Sequence, residues 1–82
     1  VDHEAVLSFE YDDGERARRV ERSVRPEIGD IDGDRTTATL DRDGAVVSVR
    51  VAAADLVALR AGVNTWSTLV GVAERAGVAD LR

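Results

Sequence analysis

Two periods of apolar residues run along this chain, one of two residues and one of 3.6, and their succession predicts the order of elements. From His3 to Tyr11 the residues Ala5, Leu7, Phe9 and Tyr11 alternate with Glu4, Val6, Ser8 and Glu10, the pattern of a half-buried strand. Asp12-Asp13-Gly14 makes a turn, with Asp13 placed to cap a helix. That helix runs from Glu15 to Arg25, with Ala17, Val20 and Val24 on its inner stripe and Glu15, Arg18, Arg19, Glu21, Arg22 and Arg25 outside. Pro26 stops it, and a polar loop, PEIGDIDGD, follows. Arg35 to Leu40 reads as a Thr-rich strand, Arg42-Asp43-Gly44 as a hairpin turn, and Ala45 to Val51 as a second strand with Val47, Val49 and Val51 on one side.

A long helix closes the pattern. It is expected to begin near Ala53, with Asp55 favouring its N-terminal dipole, and to run to about Arg75, where Gly77 would act as breaker. Between Arg60 and Glu74 it carries no charge. One stripe holds Leu56, Leu59, Val63, Trp66 and Val70; a second, on the far side, holds Val57, Ala61, Thr65, Thr68 and Val72. A small domain can bury one stripe against its own sheet, and the other then needs a partner. Gly62 and Gly71 cost roughly 1 kcal/mol each relative to Ala in a helix interior, and close approach of another backbone would explain them. The order β-α-β-β-α implies an α+β fold, a three-stranded mostly antiparallel sheet with two helices packed on one face.

Length makes this one domain, residues 1–82. A chain of that size buries only roughly 60–65% of its unfolded surface, so association would help stabilise it. Hydrophobic residues at 44% argue against disorder, and without Cys there are no disulfides or thiolate metal sites. No apolar run approaches bilayer-crossing length and the start VDHEAVLSFEYDD lacks a basic segment, so the expectation is a soluble, cytoplasmic protein with no membrane partner. All 11 basic residues are Arg, and 16 carboxylates leave a net charge of -5. A GC-rich genome accounts for the missing Lys; a halophilic organism accounts for the acidity as well, because salt screens self-repulsion. On that reading the acidity describes habitat rather than partners.

Candidate chemistry changes the picture little. Asp30, Asp32 and Asp34 alternate as in a calcium loop, but Arg35 stands where the turn glycine is needed, and Asp41 replaces the bidentate Glu. His3 is the only histidine, which leaves no second imidazole for zinc and no Ser-His pair. No catalytic residue, metal or cofactor is therefore expected. Phosphate-binding glycine motifs are absent. The Arg-rich helix is the one nucleic-acid candidate, through Arg18, Arg19 and Arg22; the bland alternative is a solvated face balanced by Glu15 and Glu21 through i,i+3 and i,i+4 pairs.

The second half carries a family resemblance. A-x-D-L-x-x-L-R-A-x-x-N, here Ala53 to Asn64 with Asp55, Leu59, Arg60 and Asn64, together with the Arg35-Thr36-Thr37 strand start and Val72-Ala73-Glu74, resembles the Pcc-type (CTAG/Pcc family) small dimerisation subunit of the KEOPS complex. The opening LSFEY and the Arg-rich helix fit more loosely, and Gly62 departs from the Ala or Ser common in that family. A sister subunit of the complex mimics this fold and stays open as an alternative. The resemblance implies a non-catalytic archaeal protein. It would form a homodimer and dock the ATPase-like transferase subunit through its helices, here through Val57, Ala61, Thr65, Thr68 and Val72. It would also support tRNA binding while the transferase makes threonylcarbamoyl-adenosine. A KH-like RNA-binding domain acting outside such a complex is the runner-up; the missing G-x-x-G loop and the net acidity count against it.

Overall fold

The computed structural model describes residues 3–28 and 36–80, with side chains described to residue 75. The acidic loop with Asp30, Asp32 and Asp34, and the motif residue Arg35, lie outside the described residues. The elements follow the expected β-α-β-β-α order: β1 (His3–Glu10), α1 (Gly14–Val24) with a short 3-10 turn at Arg25–Glu27, β2 (Thr36–Asp43), β3 (Val46–Ala53) and α2 (Leu56–Asp80). The sheet is antiparallel throughout, in the order β1-β3-β2.

Register sets the two faces of the sheet. The row Ala5–Val51–Ala38 and the row Leu7–Val49–Leu40 point to the helices, while Val6–Arg50–Thr39 and Ser8–Ser48–Asp41 point away. A slip of one residue would turn Val47, Val49 and Val51, all almost fully buried, out to solvent. Both helices lie on the Val side, and the outer face is left to solvent, with Val6 53% exposed. The hairpin between β2 and β3 is tighter than the sequence suggests. Both strands run to the Asp43–Val46 pair, and a two-residue connection, Gly44-Ala45, joins them. Gly44 adopts a φ of 61°, the left-handed conformation that the first position of such a turn requires and that glycine enters without strain.

The core is built as its composition implies, from Val and Ala around one aromatic. Val20 and Val24 of α1, Val49 and Val51 of β3, Ala38 of β2, and Trp66, Val70 and Ala73 of α2 form one cluster, flanked by Leu7, Phe9, Leu59 and Leu69. Trp66, 1% exposed, is the largest fully buried side chain.

Three local features of α2 depart from expectation. The helix starts at Leu56, and Asp55 is its N-cap: Oδ1 of Asp55 accepts from the Ala58 N–H at 2.8 Å, and the Asp55 carbonyl accepts from the Leu59 N–H at 3.0 Å. Gly77 does not end the helix, which continues to Asp80 for 25 residues, about 37 Å against about 26 Å for an eight-residue strand. Leu56, expected in the inner stripe, is 61% exposed, because the chain has only just turned out of β3 and the first helical turn has no sheet beneath it to cover that side.

Gly62 also has a different reason for being there. A Cβ at this position would lie 2.8 Å from Cγ1 of Val51, so the glycine lets α2 settle onto the central strand of its own sheet rather than onto another molecule. At Gly71 an added Cβ would meet only the tip of the Arg75 side chain, at 3.5 Å. Opposite effects follow. Gly62→Ala should lower stability by about 1–2 kcal/mol, overpacking outweighing the helix propensity gained, while Gly71→Ala should raise it by about 0.5–1 kcal/mol. Denaturant unfolding of both variants checks the pair of signs.

Candidate partner interface on the long helix

Seating one side of α2 determines what the other side presents. Gly62, Val63, Trp66, Leu69, Val70 and Ala73 are turned inward to varying depth. All five residues of the second stripe, Val57, Ala61, Thr65, Thr68 and Val72, are exposed, with Val57 at 77% and Val72 at 50%. Small and β-branched side chains make this face shallow. A groove of about 340 Å³ runs along it, lined by Asn64, Thr65, Thr68 and Leu69. The structure thus brings the predicted stripe together on one open surface.

The motif of the second half is split between the two sides of the same helix. Asp55 caps it and Leu59 packs against the core, whereas Arg60, Ala61 and Asn64 are exposed beside the groove. Glu74, the carboxylate that interrupts the apolar run, is not part of the open face. It accepts a hydrogen bond from the Tyr11 hydroxyl at 2.7 Å, tying the end of β1 to α2. Partial burial, then the Glu74 bond, pushes the Tyr11 hydroxyl well above its ordinary pKa, while Arg16, 5.9 Å from the ring centroid, acts in the opposite sense. No pattern in the sequence points to a pair 63 positions apart.

By length and mean hydropathy, 1.2 over the 20 residues Leu56–Arg75, α2 would also pass for a membrane-crossing helix, which corrects the expectation that no run approaches that size. One side of it is the floor of the core, with Trp66 and Val70 buried, and the other presents Asn64, Thr65, Ser67 and Thr68.

On α1 the i,i+3 and i,i+4 balance is met in part, by the i,i+4 pair of Glu21 with Arg25. Asp13 caps the helix through its Oδ1, which accepts from the Arg16 N–H at 2.8 Å. Glu21 pairs with Arg25 and, at 2.9 Å, with Nε of Arg42, so it fastens α1 to the β2–β3 hairpin. Arg42 in turn donates to the Gly44 carbonyl at 3.1 Å. Among the described residues, neither Glu15 nor Glu21 forms an ion pair with Arg18, Arg19 or Arg22. Arg18 and Arg22 are exposed; Arg19 is partly buried, with its Nε shielded from solvent and without a hydrogen-bond partner among the described residues.

A comparison with known families bears on the resemblance of the second half. A family model described as "Transcription factor Pcc1" matches residues 4–76. The chain belongs to the Pcc1 family. The match reaches from Glu4 in β1 into the last turns of α2, so it spans the sheet, α1 and the whole open stripe. This family is associated with the KEOPS complex, which places the resemblance of the second half on firm ground at that level. No curated protein matches the chain.

The Glu21 junction gives this Pcc1-family domain a dependence on acid. Arg25 first, then Arg42, hold the Glu21 carboxyl below its ordinary value of 4.5. A depressed folded-state pKa contributes stability that is present above the unfolded value and is lost as pH falls through the folded one. Glu21→Gln should therefore cost about 0.5–1 kcal/mol at pH 7, as befits a largely solvent-screened pair. Urea unfolding from pH 7 down to pH 3 should show that difference shrinking as pH falls below the carboxyl's ordinary value of 4.5.

Proposed function

We propose that this chain is a non-catalytic subunit of a KEOPS complex that modifies tRNA, acting as a homodimeric module that docks the transferase subunit through α2 and supports tRNA binding. The observation that carries the reading is the division of α2. One side is committed to the core around Trp66, and the other offers a stripe of small residues from Val57 to Val72 that stays exposed among the described residues. Small side chains let a second helix approach closely, which is how helical partners pack most tightly. Family membership supports the complex, and the open stripe supports α2 as the place of docking.

The homodimer is assigned to the sheet rather than to the helices. Strands β1 and β2 form its two edges, and its outer face carries no helix. Such an arrangement leaves both copies free to hold a transferase. The acidic net charge is read as salt adaptation in a halophilic archaeon, and the cytoplasm as the place of work. The polar residues that interrupt the face of α2, Asn64, Thr65, Ser67 and Thr68, favour a protein partner over a lipid one.

Two experiments test the two roles. Ala61→Glu and Thr68→Arg should each abolish co-purification of the transferase while leaving the circular dichroism spectrum unchanged, since both side chains already face solvent. Retained co-purification would remove α2 as the docking site. For tRNA, the α1 guanidinium groups of Arg18, Arg19 and Arg22 lack carboxylate partners among the described residues. Replacing all three with Gln should weaken tRNA binding by the assembled complex and flatten its salt dependence, each lost phosphate contact lowering the slope of log K against log salt by about 0.9 or less. An unchanged slope in filter-binding titrations would return these arginines to the solvent.

A further inference from the structure

The open face of α2 has a charge pattern that specifies its occupant more narrowly than helix packing does. Projected at 3.6 residues per turn, the exposed arc contains Val57, Arg60, Ala61, Asn64, Thr68, Val72 and Arg75. Among the described residues its only ionic groups are Arg60 and Arg75, both exposed, about 22 Å apart along the axis. Of the carboxylates with described side chains at this helix, Asp55 caps its start and Glu74 is held by Tyr11, so both are turned off this arc. The groove lined by Asn64, Thr65, Thr68 and Leu69 lies between the two arginines. In a protein of net charge -5, this face is a local cationic frame around a small-residue seat.

We infer that the occupant is a helix of the partner protein that carries carboxylates at both ends of a small apolar stretch, about 15 residues apart, with one bulkier apolar side chain between them for the groove. The inference rests on the reading of α2 as the docking face and adds the chemistry of what docks there. A second copy of this chain fits poorly. Parallel in-register pairing would set Arg60 on Arg60 and Arg75 on Arg75, and antiparallel pairing centred between Ser67 and Thr68 would set Arg60 on Arg75. In every other register the same arc still offers no carboxylate to either arginine, so self-pairing would cover two cations without neutralising them. The same two charges therefore attract an acidic helix and keep α2 faces of identical copies apart.

The test uses the intact chain with the transferase subunit encoded in the same genome, both purified and titrated by calorimetry at potassium chloride concentrations from 0.15 to 2 M. Arg60→Glu with Arg75→Glu should weaken the complex at least tenfold at 0.15 M, with the deficit shrinking towards 2 M as salt screens the pair. Arg60→Gln with Arg75→Gln should fall between that variant and the wild type. If both double variants bind like wild type while Ala61→Glu fails to bind, the docking face stands and the acidic partner is refuted. If Ala61→Glu also binds normally, the docking face itself is refuted and the inference falls with it. Sedimentation with phosphatidylglycerol vesicles supplies the competing occupant: binding to vesicles that is lost in the Arg60→Glu, Arg75→Glu variant would overturn the protein partner in favour of an anionic lipid surface.

Discussion

Everything outward-facing in this domain depends on how closely α2 lies on β3. Gly62 brings the helix backbone to the Val51 side chain, at a distance that no residue with a Cβ would tolerate without displacement. Trp66, one turn further on, then fills the space between the helices and the sheet. With those two points set, the rotation of α2 about its axis is determined, and so is the identity of the residues left in solvent. The caps reinforce the placement. Asp55 fixes the start of the helix as the chain leaves β3, and the Tyr11–Glu74 bond ties its later part to the far end of β1. A helix of 25 residues held at these places behaves as a rigid rail, longer than the sheet that carries it.

Much of this is legible in the residues. Alternation along β1 and β3 is clear because one face is buried and the other is not, which makes the period of two unambiguous. Two stripes on α2 can be separated because the inner one holds the large side chains and the outer one the small and β-branched. Where expectation failed, the cause was a contact invisible to local pattern. Gly77 has the chemistry of a breaker, yet the helix continues through it, an outcome that propensity alone does not determine. Leu56 obeys the periodicity of the inner stripe but lies in the first turn, beyond the cover of the sheet. Gly62 signals close approach correctly, but a sequence does not say whether the approaching surface is internal or foreign. Likewise, Glu21 has helical partners at suitable spacing on its own element and takes Arg42 from a hairpin 21 positions away as well.

The distribution of charge separates the jobs of the two helices. On α1, Glu21 is drawn into a junction with Arg25 and Arg42, which leaves Arg18 and Arg22 exposed on its outer face. At α2, Asp55 serves as a cap and Glu74 is held by a tyrosine, while Arg60 and Arg75 stand exposed at the ends of a stripe of small residues. Among the described residues, Glu21 on α1 and Glu74 on α2 serve intramolecular contacts while Arg18, Arg22, Arg60 and Arg75 are exposed, against the acidic bias of the whole chain. Such local inversions of sign are where electrostatic complementarity to a partner is built. On the function proposed above, the inversion on α1 would meet nucleic acid and the one on α2 a protein partner.

The absence of cysteine makes the two-sided character of α2 directly measurable. Single cysteines placed at Val57, Ala61, Thr68 and Val72, and as internal controls at Val63 and Val70, can be reacted with a maleimide in the free chain and in the presence of the transferase. The first four should label rapidly in the free chain and become protected, with rates at least tenfold slower, in the complex; the controls should label slowly in both. Equal labelling of the four stripe positions with and without the transferase would contradict the assignment of this face to a partner.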